Sequence, residues 1–256
     1  MADTGPVQHS AAIAPILDDL TPSTVDGSWE PLRNKNGLVP RAWFHRLALA
    51  TRAVTLHTFT VSSTCVASTR IATNIIAEAN INHRVLPVFV GAFNADGLQL
   101  FIDRVPVDQW PTTAHSVGVD EGSLHKFGTR TGRWNGHLVF TVSQPGMSRL
   151  LIDVTADQFA RPGRGIIIGG PVFMDINPDT LFTPRDPQFT ATAGTPDNTE
   201  TFLGYRPMPP GHPETNRWKQ SPDWVRTDAD LDPMTDAVKR LMADQRFGTG
   251  ASVVAS

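Results

Sequence analysis

Cysteine is almost absent: the 256 residues contain one, Cys65. A single thiol excludes an internal disulfide framework and a zinc site built from several thiolates. An excess of one charge is also lacking, since 22 basic residues face 25 acidic ones for a formal charge of −3. That balance creates no overall field to hold a phosphate backbone, so nucleic acid is not an expected partner. Long hydrophobic runs are missing too: no window approaches the roughly 18 to 20 uncharged apolar residues of a membrane span, and no membrane partner is expected. The opening MADTGPVQHSAAIAPILDDL has no basic start, and Pro15, Asp18 and Asp19 interrupt its apolar stretch, which predicts no secretory signal. A cytoplasmic, reducing setting is expected.

What is present, 40% hydrophobic and 18% charged residues, is the composition of a globular chain. Residues 1–40 read as an arm or cap, with a short apolar helix candidate around Ile13 to Leu17. From Arg41 to about His57, Trp43, Leu47, Ala50 and Val54 recur at steps of three and four, which makes one apolar helical face. After a β-like TFTV run, Val66, Ile71, Ile75 and Ile76 predict a second helix, with Ser62, Ser63 or Thr64 as its N-cap. RVLPVFVGAF reads as a strand that Pro87 pushes toward an edge or a bulge. Residues 94–136 read as a long connection, of the kind that shapes access to a site. HLVFTV and RLLIDVT, separated by SQPGMS, make the clearest hairpin, and GIIIGGPVF suggests a further strand.

Residues 171–223 hold 10 of the 21 prolines and predict a wrap or linker. The remaining 224–256 carry an amphipathic tail helix with Met234, Val238, Leu241 and Met242 on one side and Asp232 as its expected cap. The domain reading is therefore an arm, a core over 41–170, the proline-rich stretch, and the helical tail.

Three residues stand where local structure would help a thiol react: Cys65, His137 and Asp153. Cys65 falls in the first turn of its helix, where unsatisfied N–H groups and the positive end of the macrodipole favour a thiolate. A nearby histidine can take the thiol proton and later deliver it to a leaving group. His137 opens the first strand of the hairpin, and Asp153 ends the second, 16 residues on. An antiparallel hairpin returns the chain near its start, so the carboxylate can hold the imidazole in one tautomer, provided the register turns both side chains to one face.

These residues resemble a family. A cysteine at a helix start, then His137-Leu-Val-Phe-Thr-Val and Leu151-Ile-Asp153-Val-Thr155, is similar to the transglutaminase-like branch of the papain-type cysteine superfamily and to the core of arylamine N-acetyltransferases. The resemblance covers roughly residues 60 to 160. It implies an α+β fold in which the nucleophile-bearing helix packs on an antiparallel sheet, with the N- and C-terminal extensions wrapped around it. It also implies acyl transfer through a thioester on Cys65, with a peptide, amide or acyl-thioester as substrate and no cofactor.

The oxyanion of such an intermediate needs fixed donors, of which the Cys65 backbone N–H is the natural first. Gln158 and the Thr64 hydroxyl are candidates for the second. Arg70 is rotated off the thiol's helical face and is expected to brace the helix or bind a carboxylate, and Arg161 and Arg164 flank the region. His115 and His125 compete with His137 as the base. GRGIIIGG lacks the strand–turn–helix context of a dinucleotide site, and no histidine pair has metal-ligand spacing. The tryptophans read as core or interface anchors. The alternative function is a non-catalytic binding or assembly module of the same fold, in which Cys65 is simply buried.

Overall fold

The computed structural model describes residues 27–59, 64–119, 134, 136–176, 188–192, 201–244 and 247. The helix candidate at Ile13 to Leu17, the Thr60–Val61 end of the TFTV run, the possible caps Ser62 and Ser63, and His125 lie outside them.

Helix α1 (Arg41–Thr58) starts after Pro40, and it buries Phe44, Leu47, Ala48, Thr51 and Thr55, whose spacing of three and four residues defines one face. Helix α2 (Cys65–Glu78) buries Ile71, Ile75 and Ile76 completely. Alanines 48, 50, 67 and 72 are fully buried as well, and their small side chains let the backbones come close. At the other end of the chain α5 (Asp228–Ala243) adds Leu231, Met234, Val238, Leu241 and Met242 to the same core. Its cap is not Asp232. The helix begins a turn earlier, where Thr227 and Asp230 form a reciprocal capping box, and Pro233 is accommodated inside it. The short helices α3 (Ala95–Ile102) and α4 (Pro222–Val225) lie outside this bundle core.

The strands are β1 (His83–Phe93), β2 (Ser116–Val119), β3 (His137–Val142), β4 (Arg149–Asp153), β5 (Val172–Ile176), β6 (Gln188–Thr192) and β7 (Thr201–Pro207). They form one sheet in the order β5-β4-β3-β1-β7-β6, with β2 pairing β1 as well, and every described pairing is antiparallel. The α+β class is thus what the chain adopts.

Four expectations are corrected. β1 is central rather than an edge strand. The Pro87 carbonyl accepts from Met208 N–H, so the missing N–H faces the side where β7 has just ended, and the ladder to β3 loses nothing. The described parts of 171–223 are not a wrap: β5 and β7 are integral to the sheet, and Leu203 and Tyr205 of β7 are fully buried. The connection after β1 contains α3, a 3₁₀ turn at Val107–Gln109, and β2. The strand expected in GIIIGGPVF starts only at Val172, beyond the Gly169-Gly170-Pro171 break.

One sheet face, with Phe140, Val142, Leu150 and Ile152, packs on the helices. The other carries Val88, Val90, Val139, Leu151, Leu203 and Tyr205 and is filled by Phe159, Ile166 and Ile168. Every residue of β3 is buried as a result. β1 pairs with β3 through Val88↔His137 and with β2 from Val90 onward. His137 therefore stands where the long strand exchanges one neighbour for another, at an interruption in the sheet.

Candidate functional site

The hairpin register pairs Phe140 with Ile152 and Thr141 with Leu151, and the chain turns at Gly146 with φ 71°. Strand side chains alternate faces, so this register places His137, Val139, Leu151 and Asp153 on one side. His137 Nε2 lies 2.7 Å from Asp153 Oδ2, and both side chains are essentially inaccessible. The same oxygen accepts from the Tyr205 hydroxyl at 2.9 Å, and the other carboxylate oxygen accepts from the Thr155 N–H at 3.0 Å. Every contact made by this buried carboxylate is with a donor, as an ionised group requires.

Tyr205 lies on β7, two strands beyond β3 in the ladder. A flat sheet would separate β7 from β4 by about three strand spacings, roughly 14 Å. A phenol and a short carboxylate cannot span that distance, so the sheet curls around this face and gathers four strands' side chains into its concave side.

Cys65 is the first residue of α2, and it lies close enough to the His137 ring to favour the ring's charge. Because Nε2 is taken by Asp153, proton exchange with the sulfur would have to run through Nδ1. Burial is the largest influence on His137 and opposes its charge. The Asp153 charge and hydrogen bond, with those of Cys65, outweigh burial and raise the imidazole from 6.5 to about 10. Gln158 Nε2 lies 2.7 Å from Nδ1. In the neutral ring Nδ1 accepts from this amide; in the charged ring the Nδ1 proton needs an acceptor, and the sulfur or the amide oxygen, turned inward, provides it. Phe159 packs edge-on against the imidazole, with ring centres 5.0 Å apart.

The expected hydroxyl cap of α2 is not made: Thr64 precedes the helix without a side-chain cap bond. Its Oγ1 instead accepts from Arg52 Nη1 at 3.0 Å and meets Ser68 Oγ at 3.3 Å. Ser68 already donates to Thr55, which donates to the Arg52 carbonyl. One hydrogen per hydroxyl then makes Thr64 the donor to Ser68, and no proton remains for an oxyanion. Of the two side-chain candidates, Gln158 alone is placed beside the ring.

Around the sulfur the wall is aromatic: Val66, Leu138 and Trp218 are buried with Cys65, and Trp134 and Trp224 pack against them. Arg70 lies over the Trp224 ring, 5.9 Å from its centre. Arg161 supports the Gln158 turn by donating to the Gln158 and Ala160 carbonyls, whereas Arg164 is exposed. His115 is held at the start of β2, its backbone paired with Asn94, and takes no part in the site.

Tyr205, Arg52 and Asp157 were not read from the sequence. Tyr205 is the only tyrosine, set in the alternating run TFLGYRP. Arg52 falls on the line Phe44–Ala48–Arg52, four residues apart, and a charge on a buried stripe signals a buried partner. Among the described residues, no group of three or more His, Cys, Asp or Glu could hold a metal ion, and no helix is long and apolar enough to cross a membrane. No protein-family model, curated protein or solved structure matches the chain.

Proposed function

We propose that the chain is a cysteine-dependent hydrolase or acyltransferase of the transglutaminase-like kind, with Cys65 as nucleophile, His137 as general acid and base, and Asp153 orienting the ring. The observation that carries this reading is the His137 imidazole, pinned at Nε2 by a carboxylate that Tyr205 and the Thr155 N–H also bind, with a cysteine at a helix start near enough to favour its charge. The helix-on-antiparallel-sheet arrangement suits a papain-like core.

The charged ring already holds the thiol's proton at Nδ1, and the sulfur attacks the carbonyl carbon of an amide or thioester. The oxyanion that forms is met by the Cys65 backbone N–H, and Gln158 adds a second donor once its amide swings off the ring. Collapse breaks the bond to the leaving group, which takes the Nδ1 proton, and a thioester on Cys65 remains. Water or an amine then gives its proton to His137, displaces the sulfur and restores the thiol. A peptide, amide or acyl-thioester fits this chemistry equally.

The test is the rate of iodoacetamide alkylation of Cys65 against pH, for the wild type and His137→Ala. At pH 6 the folded wild type is expected to react about tenfold or more faster than the urea-unfolded chain, and the variant to lose that advantage. The second reading, a binding or assembly module, draws on the burial of Cys65, which is 7% exposed. It expects a folded sulfur that resists the reagent at every pH in both proteins.

A further inference from the structure

We propose that Arg52 is a positioning residue that sets the separation between the start of α2 and the turn carrying Gln158. This rests on the reading of Cys65 and His137 as a reactive pair. Arg52 is 4% exposed, within the buried face of α1. Its Nε and Nη2 donate to Asp157 Oδ2 at 3.0 and 2.7 Å, and its Nη1 donates to Thr64 Oγ1 at 3.0 Å. Thr64 immediately precedes Cys65, and Asp157 immediately precedes Gln158. The two arms thus end one residue from Cys65 and one residue from Gln158, whose amide meets the imidazole at 2.7 Å.

The geometry of the guanidinium gives this arrangement its force. Its donors lie in one rigid plane, so bonding along two of its edges fixes the distance between the two acceptors. Thr64 is held again from behind, through Ser68 and Thr55 to the carbonyl of Arg52 itself. The residues beside the sulfur and the amide are therefore both referenced to Arg52, with Thr55 of the same helix as the link from behind. A lysine keeps the charge but, as a point donor on a flexible stem, cannot hold both sides at a set separation.

A purely structural ion pair and a positioning residue differ in what they do to the folded protein. Arg52→Lys and Thr64→Val, which cuts the Nη1 arm and the bond to Ser68 but leaves the Asp157 arm, would be compared with wild type and His137→Ala by alkylation at pH 6, with thermal melts alongside. Positioning predicts that folded Arg52→Lys loses about tenfold to hundredfold in rate, and that Thr64→Val loses less, while both react like wild type once unfolded in urea. Variants that melt earlier yet alkylate at the wild-type rate reduce Arg52 to a structural ion pair and overturn the proposal. If Arg52→Lys does not fold, Thr64→Val decides alone: a slowed sulfur supports positioning, and an unchanged one overturns it. A wild-type sulfur no faster than the unfolded chain overturns the reactive pair, and Arg52's role with it.

Discussion

Two buried carboxylates four residues apart, Asp153 and Asp157, are treated in opposite ways. Asp153 receives His137 and Tyr205 on one oxygen and the Thr155 N–H on the other. Asp157 receives both donors of Arg52 on a single oxygen, and its Oδ1 is buried without a hydrogen-bond partner. Burial pushes Asp157 above the usual carboxylate range, and Arg52 offsets this only in part. A carboxylate whose charge is used is surrounded by donors, whereas one that serves as an anchor can leave an oxygen unmatched. Under the proposed reaction the first carboxylate serves chemistry and the second architecture.

Asp153→Asn breaks the contrast most severely. An amide there sets an NH₂ either against the Thr155 N–H or against the imidazole, where it drives the ring proton to Nδ1 and blocks proton transfer from the thiol. Without the carboxylate charge, burial prevails at His137. The pH-6 alkylation rate is expected to fall at least about tenfold. Stability is expected to drop by about 3–5 kcal/mol, the range for breaking a buried pair. The wild type should also carry a specific pH signature. Because His137 is raised from 6.5 to about 10 in the folded state, its stabilisation is full below pH 6.5 and is lost as pH rises through 10. Urea midpoints measured from pH 6 to 10.5 should fall in the wild type and show a shallower slope in Asp153→Asn; parallel slopes would refute the pairing.

Tyr205→Phe is the next largest expected effect, and it sharpens the comparison by making Asp153 resemble Asp157. Removing one donor from a charged, buried acceptor costs about 1.5–3 kcal/mol. The carboxylate, less satisfied, then holds the imidazole proton more tightly, so His137 stays charged to higher pH. A histidine titration by NMR checks this: an upward shift supports it, and an unmoved midpoint shows that Tyr205 only fills space.

How much of this was legible depended on sequence separation. The hairpin is local, marked by alternation and by the Pro145-Gly146 turn, so the proximity of His137 and Asp153 followed from a short stretch, while the face they share depended on a register that only the structure supplies. The Cys65 helix was equally local, in the periodicity of Ile71, Ile75 and Ile76. β7 was hidden because its pairing with β1 joins Val90 to Tyr205 across more than a hundred residues, and the prolines around it mimic a linker. Pro87 misled for a related reason: whether a missing N–H matters depends on which strand lies on that side, and no local pattern records this. Thr64 does stand at the N-cap of α2, but its hydroxyl bond to the first turn is not made because a buried guanidinium competes for it, and that partner comes from another helix.

Asp157→Asn should do least, and its smallness tests the contrast from the other side. The amide oxygen can still accept both Arg52 donors, so the bracket persists and pH-6 alkylation should stay within about threefold of wild type. The effect should appear instead in linkage. An acid raised in the folded state above its value of 3.8 contributes stability that is present below pH 3.8 and is lost as pH rises through the folded value. The neutral amide has no such loss. Relative to its difference from wild type at pH 3, Asp157→Asn should therefore gain stability as pH rises toward 7, other carboxylates cancelling between the two proteins. Paired urea titrations at pH 3, 5 and 7 measure that difference. If it stays flat while alkylation collapses, Asp157 is the functional carboxylate, and the roles assigned to the two must be exchanged.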